Sequence, residues 1–310
     1  MRIVFMGSAD FGIPALECLL TKHSIVGIVS TPAKPKGRGL KLADSPITCF
    51  AKQKGLEPII TPQNLKSPEL PSILADLRAD IFVVVAFRIL PRSIFSIPPL
   101  GTVNIHASLL PEFRGPAPIQ RAIEAGRTET GVTIFRIEEG VDTGEIILQK
   151  KTPIGPEETT PELYNRLSLL GADALMEALD MLSEGKLVTT VPQDHSLASK
   201  APKLSKEEAL IHWQLSSDQI FNKIRAFKPF PGTFSMLDGK RLGIEWAKSI
   251  DSHSSGAKPG SVVSVSRDFF DVQCGSGILR ILTVKPEGRK IMSVHDFLLS
   301  SNLKEGDILL

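Results

Sequence analysis

Ile81-Phe82-Val83-Val84-Val85-Ala86 is an unbroken apolar run, and its reading decides the fold of the first half of the chain. A strand with one wet face alternates polar and apolar residues. A strand without alternation is covered on both faces, as in the middle of a parallel sheet. Working outward, apolar segments recur at Ile3 to Met6, Ile25 to Val29 and Val103 to His106, with further candidates at Glu57 to Ile60 and Gly131 to Ile137. Helical spacing lies between them. Phe11 to Lys22 repeats through Leu16, Leu19 and Leu20, and Thr48 to Lys54, Pro68 to Leu77 and Pro116 to Ala125 follow. Strands alternating with helices predict an α/β fold: a doubly wound, mostly parallel, Rossmann-like sheet with helices on both faces.

Further along, Thr159 to Glu184 reads as a long amphipathic helix, with Pro161 in its first turn and Gly185 just after it. Pro192 to Glu208 has little periodicity and reads as a linker. The expected division is therefore 1–191, a linker at 192–208, and 209–310. The last part opens with a helix, Ser217 to Phe227, whose Ile220, Ile224 and Phe227 form one stripe. Short strands follow at Gly232 to Leu237, Leu242 to Ala247, Gly260 to Val265, Phe269 to Cys274 and Ile278 to Val284, and a helix at Ser293 to Leu299. Short strands separated by Gly, Ser and Asp turns predict a small OB-like β-barrel, an architecture that recurs among nucleic-acid binders.

Composition narrows the function classes. The chain has 310 residues, 42% hydrophobic and 23% charged, as in ordinary globular proteins. Cys18, Cys49 and Cys274 are odd in number and lack metal-ligand spacing, so they read as reduced thiols of a cytoplasmic protein. No segment approaches a membrane span. A net charge of +2 gives no global nucleic-acid signature, so any such contact must be local. One local patch exists: Lys34, Lys36, Arg38 and Lys41, interleaved with Pro35, Gly37 and Gly39. It reads as a basic loop, either merely solvated or an anion-binding arm.

The chemistry-bearing constellation is Asn104-Ile105-His106, followed by Ser108-Leu109-Leu110-Pro111 and Arg114-Gly115, and later Asp142-Thr143-Gly144. Asn104 and His106 are two apart on a strand, so they point to one side. Ligands of open α/β sheets bind beyond the carboxyl ends of the strands, where this pair is expected. An amide and an imidazole can donate to an oxyanion, and a carboxylate can orient the imidazole and relay a proton. No Gly-x-Ser-x-Gly nucleophile motif is present, which favours direct transfer between two bound substrates. Taken singly, His106 is more often a satisfied core histidine than a catalyst, and Asp142 is as readily a turn aspartate. Gly7-Ser8-Ala9-Asp10-Phe11-Gly12 follows the first strand, but its spacing is not that of a dinucleotide site.

Together these motifs resemble the signature of the folate-dependent formyltransferases. The resemblance covers Met1 to about Asp194 as catalytic domain. From Trp213 to Leu310, including Arg225-Ala226-Phe227-Lys228-Pro229-Phe230-Pro231-Gly232, it is with the members that formylate methionyl-tRNA. It implies Asn104, His106 and Asp142 as catalytic residues, with Ser108, Leu109, Leu110 and Pro111 bordering the folate site. It implies 10-formyltetrahydrofolate as co-substrate and charged initiator tRNA as partner. The residues show no metal-ligand cluster and nothing that suggests a constitutive oligomer, so no metal and a monomer are expected. Lys34, Lys36, Arg38 and Lys41 correspond to an insertion that touches the tRNA acceptor stem. The chain departs from the family at Phe87-Arg88, where many members carry tyrosine and glycine in a stretch one residue longer. Formylation of a nucleotide sugar or of glycinamide ribotide, formyl-folate hydrolysis, and a non-catalytic RNA-binding role on the same scaffold are the competing readings.

Overall fold

The computed structural model describes residues 1–36, 41–183, 190–250 and 256–310. They form two compact units. One comprises Met1–Pro118, Glu129–Pro153 and Tyr164–Ala201; the other comprises Ile119–Thr128, Ile154–Leu163 and Pro202–Leu310.

In chain order the elements begin with β1 (Arg2–Gly7), α1 (Ile13–Lys22), β2 (Ser24–Val29), β3 (Lys34–Lys36) and β4 (Lys41–Ala43). Next come α2 (Pro46–Gln53), β5 (Ile59–Ile60), α3 (Leu70–Asp76), β6 (Ile81–Val85), α4 (Arg92–Phe95) and β7 (Thr102–His106). Then follow α5 (Pro118–Glu124), β8 (Glu129–Arg136), β9 (Ile146–Pro153) and α6 (Thr160–Ser183). The remainder is α7 (Ser217–Ala226), β10 (Phe234–Leu237), β11 (Lys240–Ile250), β12 (Val262–Val265), β13 (Phe270–Gln273), β14 (Ile278–Pro286), β15 (Met292–Ser293) and α8 (Val294–Leu298).

The first unit is built on a sheet of order β5-β2-β1-β6-β7-β8-β9. Strands β5 to β7 in that order pair in parallel, and β8 and β9 complete the sheet antiparallel. All residues of β6 are buried, as a central strand with two covered faces requires. Val4, Met6, Phe82 and Val84 pack on one side with Leu70, Leu74 and Ile94 from α3 and α4. The doubly wound, mostly parallel sheet is thus observed.

Three details depart from the sequence reading. The run ending at Ala86 stops as strand at Val85, and Ala86 turns left-handed at φ 48°. Strand β9 and the short α4 were not anticipated. The segment read as a basic loop has paired flanks: β3 and β4 form a two-stranded ribbon with Lys34 opposite Ala43 and Lys36 opposite Lys41. Both strands of such a ribbon are edges, so Pro35 costs no interior ladder bond there. Arg38 lies outside the described residues, as do Glu184 and Gly185 at the end of the long helix.

In the second unit β10-β11-β14-β13-β12 form an antiparallel sheet, with β15 added beside β14. Register shifts around Trp246 in β11 supply the local bend that lets such a sheet curl. Its core gathers Leu242, Ile244, Phe270, Leu279 and Ile281 with Ile220 and Ile224 of α7 and Phe297 of α8. This is the OB-like domain that the spacing of short strands predicts. Helix α7 starts where Ser216 and Gln219 form a reciprocal capping box. Among the described residues no helix is long and apolar enough to cross a membrane.

Candidate active site

Strand β7 carries Asn104 and His106 between two neighbours. It pairs with β6 through Val84–Asn104, and with β8 through Asn104–Phe135 and His106–Thr133. His106 is only 6% exposed, and its ring meets Phe135 edge-on at 6.4 Å. Its Nε2 lies 2.9 Å from the Phe113 carbonyl oxygen. A carbonyl only accepts, so Nε2 donates and its proton is committed to the backbone. Nδ1 faces Asp142, 3.6 Å from Oδ2, which is too long for a hydrogen bond and becomes an ion pair only when the ring is doubly protonated. Among the described residues the half-buried Asn104 side chain has no hydrogen-bond partner, so its amide is available to a ligand.

Asp142 arrives by a different route. Strand β8 ends with Arg136 opposite Val103, so the following loop must fold back along β7 to reach His106. Gly140 at φ 111° and Asp142 itself at φ 55° make that reversal. A non-glycine residue in the left-handed region persists only where its surroundings hold it. Here Gly115 N–H donates to Asp142 Oδ2 at 2.8 Å. The Gln193 amide donates to the carbonyls of Asp142 at 3.0 Å and Gly144 at 2.7 Å. Gly144 sits so close to the chain that a Cβ there would lie 1.8 Å from the Arg136 carbonyl oxygen.

The turn Ser108 to Pro111 is supported from beneath. Thr133 donates to Ser108 O at 2.7 Å and accepts from Leu110 N at 3.0 Å. Gln149 donates to Leu110 O at 2.8 Å and to the Thr133 hydroxyl at 2.9 Å. Ser108 is fully buried and its hydroxyl donates to Glu112 O, so this side chain shapes the turn from within. Leu110 is buried as well, whereas Leu109 and Pro111 are half-exposed. Apolar side chains stand open nearby in sequence: Ile89, 76% exposed, follows β6, and Val141, 48% exposed, precedes Asp142.

At the departure Phe87-Arg88, the Arg88 guanidinium donates to Pro62 O and Gln63 O and lies over the Phe87 ring at 5.3 Å. Burial lowers its proton affinity. The base of the basic ribbon is tied to the sheet: Ser30 donates to Gly7 O and contacts Ser45, the N-cap of α2. Lys34 is exposed at its start. The structure thus brings Asn104, His106 and Asp142 together with the Ser108–Pro111 turn. The roles of Thr133, Gln149 and Gln193 were not read from sequence. Thr133 carried a weak signal, as a polar residue inside an otherwise apolar strand segment, Val132 to Phe135. Gln193 carried none.

Among the described residues no group of three or more His, Cys, Asp or Glu side chains could hold a metal ion. Residues 1–179 match the formyl transferase family model, and residues 203–302 match that of the formyl transferase C-terminal domain. A methionyl-tRNA formyltransferase of Geobacter metallireducens is 42% identical over 308 residues, covering 99% of this chain and 97% of that protein. An N-formyltransferase from Helicobacter canadensis, solved with folinic acid and dTDP-3-aminofucose, superposes with a TM-score of 0.68. It is 18% identical, with 91% of this chain and 98% of that one covered. HypX from Aquifex aeolicus, solved with tetrahydrofolic acid, gives a TM-score of 0.63 at 18% identity; all of this chain spans 50% of that one. The last two likenesses concern the fold alone. With both domain models matched in order, and the motif residues of the first assembled around His106, the chain belongs to the formyl transferase family.

Proposed function

We propose that the chain transfers the formyl group of 10-formyltetrahydrofolate to the α-amino group of methionine on charged initiator tRNA. The Geobacter relative, similar over nearly its whole length, is the basis for this choice of substrates. The neutral amine attacks the formyl carbon and forms a tetrahedral oxyanion. Asn104 and the Nδ1–H of doubly protonated His106 donate to that oxygen. Asp142 orients the imidazole and passes the proton lost by the attacking amine toward the departing folate nitrogen, so the charges balance. The observation that carries this reading is the division of labour at His106. Nε2 is held by Phe113 O at 2.9 Å, so Nδ1, 3.6 Å from Asp142, can donate to a third partner when the ring is doubly protonated. An oxyanion donor of this kind is worth about 3 to 4 kcal/mol of transition-state stabilisation.

In the same reading Ser108, Leu109, Leu110 and Pro111 border the folate, and Lys34, Lys36, Arg38 and Lys41 meet phosphates of the acceptor stem. Catalysis belongs to 1–191 and tRNA binding also draws on 209–310, joined through 192–208, in a monomeric cytoplasmic enzyme. The test gives the purified chain formyl-folate with methionyl initiator tRNA, glycinamide ribotide or an amino-sugar nucleotide. Formylation of the tRNA is expected to exceed the others by orders of magnitude. A preference for either small amine would overturn the assignment.

A further inference from the structure

We infer that Gln193 is a positioning residue that sets the catalytic geometry of Asp142. The inference rests on the role given to Asp142 above. Gln193 is 7% exposed and lies in the unperiodic stretch after the long helix. Up to Ala201 that stretch is part of the first unit. Val191 bridges Ile146, Ser199 O accepts from Arg114 N, and Ala201 N donates to Arg114 O. At its centre the Gln193 amide spends its whole hydrogen-bonding capacity. Nε2 donates to Asp142 O and Gly144 O at 3.0 and 2.7 Å. Oε1 accepts from Arg114 Nε and Nη2 at 3.1 and 2.6 Å. Arg114 is next to Gly115, whose N–H holds the Asp142 carboxylate.

The amide thus joins the two segments that aim one carboxylate: the backbone under Asp142 and the loop that grips its side chain. No shorter or purely accepting side chain does both. Two donors on one atom are needed for the pair of carbonyls, and a free oxygen is needed for the forked guanidinium. Because Asp142 holds a left-handed conformation, release of its carbonyl lets the loop relax and carries Oδ2 away from His106 Nδ1.

The experiment measures kcat, both KM values and the melting temperature for Gln193→Met and Gln193→Glu, each alone and in an Asp142→Asn background. Gln193→Met keeps volume without hydrogen bonds. Gln193→Glu keeps the oxygens for Arg114 and loses the donors, and serves if the first variant folds poorly. The expected result is a kcat lowered roughly ten- to hundredfold with both KM values unchanged, the size of effect that a small misplacement of a reacting group produces. In the Asp142→Asn background the same change should leave kcat where it is. An equal loss in both backgrounds would show that Gln193 acts elsewhere, and an unchanged kcat alone would also overturn the inference. Full turnover by Asp142→Asn without any change at Gln193 would instead remove the reading of Asp142, and the inference with it.

Discussion

The two sides of the site are held by different means. Asn104 and His106 stand on β7, flanked by β6 and β8, so the sheet ladder fixes their backbone before any side chain contributes. Asp142 stands on a loop that runs back along that strand, in a backbone conformation that costs about 1–3 kcal/mol and is repaid by distant residues. A strand-borne residue inherits its position from local pattern. A loop-borne one depends on tethers, here Gly115, Gln193 and the close packing of Gly144. Perturbing the strand side should therefore remove chemistry with little loss of structure, and perturbing the loop side should alter both.

The largest effect is expected at the strand. In the proposed mechanism His106→Ala and Asn104→Ala would each remove a donor to the oxyanion, and each should lower kcat by roughly a hundred- to thousandfold. The KM for tRNA should hold, because a donor used only in the transition state adds little to ground-state binding. Steady-state kinetics with both substrates varied decides this. A variant keeping a tenth or more of the parent turnover would end the assigned role.

Gly144→Ala comes next and probes the loop. Its Cβ would fall 1.8 Å from a backbone oxygen, which cannot swing aside, so the loop itself must shift. Turnover should fall roughly tenfold or more through displacement of Asp142, and thermal unfolding should occur at a lower temperature. Loss of turnover at an unchanged melting temperature would mean that the loop is no more tethered than the strand.

What the sequence disclosed follows the same division. The run at Ile81 and the alternation of strand and helix foretold the parallel sheet, because buried strands and amphipathic helices leave a local pattern. Asn104 and His106 were readable as a pair for that reason. The fold-back of the Asp142 loop was not, since nothing local records that the strand before it ends at the far end of β7. Gln193 was hidden in a stretch whose lack of periodicity reads as a linker, although its partners lie 49 to 79 positions away. The paired flanks of the basic segment were masked by Pro35 and by the glycines between them. Thr133 is intermediate, visible as a polar residue in an apolar strand segment but not as the support of a turn. Thr133→Val keeps its shape and removes the partner of Leu110 N, of Ser108 O and of one Gln149 N–H. It should cost about 1–3 kcal/mol in unfolding free energy and raise the KM for formyl-folate more than that for tRNA. Denaturant melts with matched kinetics test it, and the opposite pattern of KM values would separate the turn from the folate.

The smallest effect belongs to the basic ribbon, which neither ladder nor tether fixes to the reacting groups. Its base is anchored through Ser30 and Ser45, but in the proposed role its cations would act on phosphates at a distance and in water. Each phosphate contact made by a lysine or arginine releases counterions, so its removal weakens binding and flattens the salt dependence. Lys34→Ala or Arg38→Ala should therefore raise the KM for tRNA only a few-fold, with a salt slope smaller by roughly one unit per contact. The KM for formyl-folate should stay constant, because the ribbon is rooted at the ends of β1 and β2 rather than in the turn at Ser108. Titrating the tRNA KM against salt for both variants separates the outcomes. An unchanged slope would mean that the cations are only solvated, and a loss confined to formyl-folate would move the ribbon from the tRNA to the folate side of the site.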